Sequence, residues 1–188
     1  TQKSKEGPAE ALLTTLIATW PCIKDADPLL IPGMPCHWIL LSGTGPGDLR
    51  GYAIPLNGGR PVAVVVELKV RNSEQSTRDE GSGVTRSAFR KALGQAADGW
   101  QRTRGFYESE FVRWGGLSAM PREAILVLAA DRWSVPVDTM RTEISNLLSA
   151  APDVREIRVA AITRHTEGAR RLVCVETRCV VDCLGENR

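Results

Sequence analysis

The sequence has only two histidines, His37 and His165, and none of its five cysteines forms a C-x-x-C pair. Both shortages exclude chemistry. A structural zinc site needs four ligands with paired local spacing. Cys174, Cys179 and Cys183 fall in one strand-like segment without sharing a face, so the thiols are expected to be buried or free. The same scarcity of histidine argues against an HNH-type centre and weakens any Ser-His-Asp arrangement. No stretch approaches the roughly 20 apolar residues of a membrane-spanning helix, the first residues do not read as a secretory signal, and no internal repeat is visible. No membrane association is expected, and the expectation is a soluble, intracellular protein whose compartment the sequence does not name. The chain opens on Thr1 without an initiator methionine, which suggests a domain excised from a longer protein and allows association with other domains.

Charge of one sign is also missing. The net charge is +2 and the isoelectric point about 8.3, a mildly basic balance that permits a polyanionic partner without demanding one. With 188 residues, 43% hydrophobic and 24% charged, the chain reads as one globular domain over residues 1–188 with a substantial core.

What is present begins with Pro61-Val62-Ala63-Val64-Val65-Val66-Glu67-Leu68-Lys69. A continuous apolar run is the signature of a strand buried on both faces, and here it ends in a carboxylate and an ammonium two residues apart. Residues two apart on a strand share a face, so Glu67 and Lys69 stand side by side next to a core that would reject either alone. Asp48 lies nineteen positions before Glu67, after Gly43-Thr44-Gly45-Pro46-Gly47. Two carboxylates supply hard oxygen ligands for an octahedral ion of the Mg²⁺ type. The lysine places positive charge where a pentavalent phosphorus and an attacking water build negative charge, and it could also serve as a base. An acid followed by a strand ending E-x-K is what a metal-dependent phosphodiesterase requires. The plain alternative is a surface salt bridge at a strand end, because E-x-K alone is a short signal.

With Asp48, Glu67 and Lys69 so placed, the chain resembles the PD-(D/E)XK nuclease superfamily over roughly residues 6–107. The first acid there opens one strand of a hairpin and E-x-K lies in the next. Here Asp48 precedes the strand Gly51-Tyr52-Ala53-Ile54-Pro55-Leu56, and Asn57-Gly58-Gly59 is a strong hairpin cue before the return strand. Gly47 stands where the family name has a proline. The resemblance implies a restriction-endonuclease-like α/β fold, a mixed central sheet flanked by helices. It also implies hydrolysis of nucleic-acid phosphodiester bonds, DNA before RNA, with Mg²⁺ or Mn²⁺ held by Asp48 and Glu67 and with Lys69 assisting water attack. The family often adds a glutamate in the first helix facing the metal, and Glu10 matches that place; a carboxylate on the rim of the first helical turn is the equal alternative. A Gln or Lys on the helix after E-x-K commonly points back to the site, which Gln95 and Lys91 match loosely. Enzymes of this kind that cut both strands are often C2 dimers, so a homodimer is an open expectation.

Around this centre the periodicity predicts a helix over residues 8–20 with an apolar stripe of Leu12, Leu13, Leu16, Ile17 and Trp20. It predicts a strand over 36–41, and a polar loop over 71–84 that is either solvated linker or a flap beside the site. A helix follows from Thr85 to about Trp114, broken near Gly105. Its face of Phe89, Leu93, Ala96 and Trp100 lies opposite Lys91, Gln95, Asp98 and Arg102. Arg86, Arg90, Lys91, Arg102 and Arg104 concentrate positive charge there, so Arg90, Lys91 and Arg102 are candidate phosphate contacts. A strand over 124–130, a helix over 137–150 with Met140, Ile144, Leu147 and Leu148 inward, and strands over 156–163 and 171–181 complete a mixed α/β sheet.

Two other readings stay open. One is a non-catalytic module that keeps the nuclease fold as a docking platform for nucleic acid or protein; degenerate members usually lose an acid or the lysine, and this chain retains all three. The other is an S-adenosylmethionine-dependent methyltransferase. Gly43-Thr44-Gly45-Pro46-Gly47-Asp48 after Ile39-Leu40-Leu41 resembles the cofactor loop of the tetrapyrrole methyltransferases. There, however, the loop begins the chain and a proline usually follows the acid.

Overall fold

The computed structural model describes residues 36–40, 49–55, 60–69, 83–113, 121–167 and 170–182. In chain order these form β1 (Cys36–Leu40), β2 (Leu49–Pro55), β3 (Val62–Lys69), α1 (Arg86–Arg113), β4 (Ala124–Ala130), α2 (Val137–Ala150), β5 (Val154–Glu167) and β6 (Arg170–Asp182). The strands make one mixed sheet in sequential order, β1-β2-β3-β4-β5-β6. β1, β2 and β3 are antiparallel, β3, β4 and β5 are parallel, and β6 returns antiparallel on β5.

The two apolar runs become β3 and β4 because both are covered on both faces. Val64, Val65, Val66, Leu126 and Val127 are all at most 1% exposed. Parallel neighbours need a crossover, and α1 and α2 supply the β3-to-β4 and β4-to-β5 connections. Successive right-handed crossovers along one direction of a sheet put their helices on the same face. The core agrees: Phe89, Leu93, Ala96 and Trp100 of α1 and Met140, Ile144 and Leu148 of α2 join one cluster with Ala63, Val65, Leu126, Leu128, Ile157 and Val159 of the sheet. Leu147 packs against its edge, partly buried.

α1 is pinned at two places. At its start Thr85 is the cap, its hydroxyl accepting from the Ala88 N–H at 3.4 Å. The residue before it, Val84, bridges in parallel to Trp133; its N–H donates to Arg132 O at 2.8 Å, and the Ser134 hydroxyl donates to Val84 O at 2.8 Å. Further along, the Trp100 indole N–H donates to Asp153 Oδ2 at 2.8 Å, and the Gln101 amide joins the same oxygen at 2.9 Å. Phe89 meets Trp133 edge-on, centroids 5.5 Å apart.

The first of these anchors needs a glycine. A Cβ on Gly83 would lie 2.7 Å from Arg132 O and 2.8 Å from the Trp133 carbonyl carbon, both backbone atoms. Gly83→Ala is therefore expected to destabilise the protein by about 1–3 kcal/mol, the usual range for overpacking. A urea midpoint unchanged from wild type would show that the segment yields without cost.

The break expected at Gly105 is absent: α1 runs unbroken to Arg113. A single glycine costs a helix only about 1 kcal/mol, less than the Trp100 and Phe89 side of this helix gains by packing. β5 and β6 also extend beyond the strands expected over 156–163 and 171–181, to Glu167 and back from Arg170. Polar residues there continue the pairing in a ribbon where apolar alternation has ended. The helix expected over 8–20 and the turn at Asn57-Gly58-Gly59 lie outside the described residues. Among the described residues, no helix is long and apolar enough to cross a membrane.

Candidate active site

The site forms where β3 leaves the core. Alternation along β3 places Ala63 and Val65 on the face covered by α1, so Glu67 and Lys69 follow on that same face. The Glu67 residue is only 6% exposed. The Lys69 ammonium donates to Glu67 Oε1 at 2.6 Å and to Gln95 Oε1 at 2.8 Å. Two of its three donors are thus fixed, one by a carboxylate on its own strand and one by an amide on the covering helix. The side chain of Lys69 keeps 22% of its surface exposed against 8% for Glu67. A largely desolvated carboxylate therefore holds an ammonium that solvent, or a substrate, can still reach. An exposed salt bridge at a strand end would have neither the burial of Glu67 nor the third member from α1.

Asp48 and Glu10 lie outside the described residues. β2 begins one residue after Asp48, with Leu49 opposite Val66, the neighbour of Glu67. Among the described residues no group of three or more His, Cys, Asp or Glu side chains could hold a metal ion. Glu67 is the hard oxygen donor the described site offers, which suits an oxygen-seeking ion of the Mg²⁺ type and not the nitrogen and sulfur preferences of zinc.

One residue here escapes sequence reasoning. Arg50 is 3% exposed, sits opposite Val65 and alternates with buried Tyr52. It therefore places a second buried charge on the face that carries Glu67. A signal for it exists: a cation two residues after Asp48, in step with a tyrosine on a hairpin strand. On the other face Arg158, 1% exposed, is ion-paired with Glu156.

The basic residues of α1 divide into two flanks. At 100° per residue, Lys91 and Arg102 lie within about 40° of Gln95 around the helix, whereas Arg90 lies roughly 140° away. Lys91 and Arg102 are exposed beside the site. Arg90, the third candidate phosphate contact, lies on the other flank. Its guanidinium donates to Glu143 Oε1 of α2 at 2.6 Å, and Arg86 donates to the same oxygen at 2.6 Å. Helix–helix packing captures Arg90 because its position faces α2, a neighbour that the pattern of α1 alone does not disclose.

The hydrogen bond from Arg90, then that from Arg86, lowers the Glu143 carboxyl from the usual 4.5 to about 2. A depressed carboxyl contributes stability that is complete above about 4.5 and lost as pH falls through about 2. In Arg90→Ala the Glu143 carboxyl should titrate closer to its ordinary value. Carbon-detected magnetic resonance of the carboxyl reads this directly, and an unchanged titration in the variant would remove Arg90 as the cause. Cys179 is buried, which raises its thiol pKa and marks it as an inert core residue.

No protein-family model matches the chain. No curated protein matches it.

Proposed function

We propose that this protein is a metal-dependent nuclease of restriction-endonuclease-like fold that hydrolyses phosphodiester bonds of nucleic acid, DNA in preference to RNA. The observation that carries the reading is Lys69 held between the buried Glu67 and the Gln95 amide at the end of a central strand. The meander of β1, β2 and β3 followed by a helical crossover to a parallel β4 supports the fold assignment. So does the position of the E-x-K residues at the outer end of β3.

In this reading Asp48 joins Glu67 as a ligand of Mg²⁺ or Mn²⁺, with Glu10 as a further candidate. Asp48 immediately precedes Leu49 in the chain, and Leu49 pairs with Val66, the neighbour of Glu67. When bound, such an ion polarises the phosphoryl oxygen and makes a bound water more acidic. The chain's own residues do the rest. Glu67 and Gln95 fix the direction of the Lys69 ammonium, so its charge is preorganised toward the phosphoryl group as negative charge develops. Lys91, about 6 Å along the helix from Gln95 at 1.5 Å per residue, supplies a backbone phosphate contact on the outer side, and Arg102 a second on the inner side. Arg90, engaged by Glu143, has no part in that track.

The methyltransferase reading loses support from β1. The strand before the glycine loop is outermost among the described strands and antiparallel to β2. Cofactor loops of doubly wound sheets follow parallel strands at a switch point. The test is a panel of duplex, single-stranded and branched DNA and of RNA, each with Mg²⁺, Mn²⁺ or EDTA. Metal-dependent cleavage of any of them supports the proposal. Tight binding with no cleavage under any condition would leave the docking platform instead.

A further inference from the structure

β5 and β6 outrun the rest of the sheet. β4 ends at Ala130, which pairs with Lys69 on one side and Ala161 on the other. β5 continues for six more residues and stays paired with β6 from Ile162↔Val175 to Glu167↔Arg170. At about 3.3 Å per residue this is a two-stranded ribbon roughly 20 Å long. Because β3, β4 and β5 are parallel, the ribbon leaves the sheet from the end at which Glu67 and Lys69 lie. Its root is two strands from β3, roughly 10 Å at about 4.8 Å per strand.

Its charge is one-sided. Register and alternation assign the positions of Ile162, Arg164 and Thr166 to one face with those of Val175, Val173 and Arg171. The positions of Thr163, His165 and Glu167 share the other face with those of Cys174, Leu172 and Arg170. On that face Glu167 is directly opposite Arg170 in register. The first face has Arg164 and Arg171 at diagonal positions and no acid.

We propose that this ribbon, which places Arg164 and Arg171 at diagonal positions of one face, enters the major groove of duplex DNA beside the bond to be cut. The inference rests on the nuclease reading. The major groove of B-form DNA is about 12 Å wide and admits a two-stranded β-ribbon. A root roughly 10 Å from Lys69 keeps ribbon and site within one turn of duplex, since a turn spans about 34 Å.

The test compares wild type with Arg164→Glu/Arg171→Glu and with the milder Arg164→Gln/Arg171→Gln. Binding to a labelled duplex is read by anisotropy across several salt concentrations, with melting curves and sedimentation on each protein. Loss of two phosphate contacts is expected to reduce the slope of log affinity against log salt by about 1.8, at about 0.9 per contact. Should the reversed variant melt early, the glutamine variant gives the same slope change with less perturbation. Equal slopes and affinities, on a duplex that wild type cleaves, would overturn the ribbon's role and leave the nuclease reading standing. A wild type that cleaves another nucleic acid but neither binds nor cleaves duplex would overturn the ribbon's role alone, and one that cleaves no nucleic acid with any metal would overturn both. A change in sedimenting mass with unchanged slope would identify the ribbon as a self-association surface and likewise overturn the proposal.

Discussion

Replacing Glu67 with glutamine is expected to abolish metal-dependent cleavage while the protein stays folded and still binds DNA. The substitution keeps the shape of the side chain and a carbonyl oxygen for Lys69, so the 2.6 Å contact loses charge but not its acceptor. What disappears is the buried negative charge, the donor an oxygen-seeking divalent ion requires. Affinity for DNA should persist because it comes from several dispersed phosphate contacts. Plasmid nicking in matched preparations, with circular dichroism as the check on folding, reads both halves. Nicking at the wild-type rate would remove Glu67 from the chemistry.

Lys69→Met should lose about a hundredfold in the chemical step, since one well-placed donor to developing charge is typically worth about 3 kcal/mol. Most of the DNA affinity should remain. The change also acts on stability, and there the sign is informative. The substitution withdraws the ammonium from a carboxylate whose side chain is 8% exposed. A buried group deprived of its partner costs about 1–3 kcal/mol, more when charged. Adding Glu67→Gln to Lys69→Met should recover most of that loss, because the uncompensated charge is then gone. Single-turnover cleavage at saturating DNA gives the first effect, and urea midpoints of the four proteins in the cycle give the second. An unchanged cleavage rate would reduce the lysine to a structural partner of Glu67. Additive stability losses would show that the two side chains are not coupled.

Much of this is legible in the sequence because the signals are local. Val62 to Lys69 and Ala124 to Ala130 are apolar runs with defined ends, and they form β3 and β4 with those limits. The 3.6-residue stripe of Phe89, Leu93, Ala96 and Trp100 predicts the buried side of α1, and thereby that Gln95 lies away from the core. The meeting of Gln95 with Lys69 needs more than a pattern. It depends on α1 being pinned through Val84 and Trp100 to segments far along the chain. The pairing of Arg90 escapes the sequence for the same reason, since Glu143 sits on another helix 53 residues away. Arg50 escapes because a charged residue on a strand reads as exposed until its neighbours are known. The ribbon reads short in the sequence because Arg164, His165 and Thr166 carry no apolar alternation, and only their pairing with β6 keeps them extended.

The most direct measurement is single-turnover cleavage of one duplex by wild type and by Glu67→Gln, each in Mg²⁺ and in EDTA. Wild type should cleave in Mg²⁺ alone, and the variant under neither condition. Equal cleavage by the two proteins, or cleavage by wild type that persists in EDTA, would contradict the nuclease assignment of Glu67.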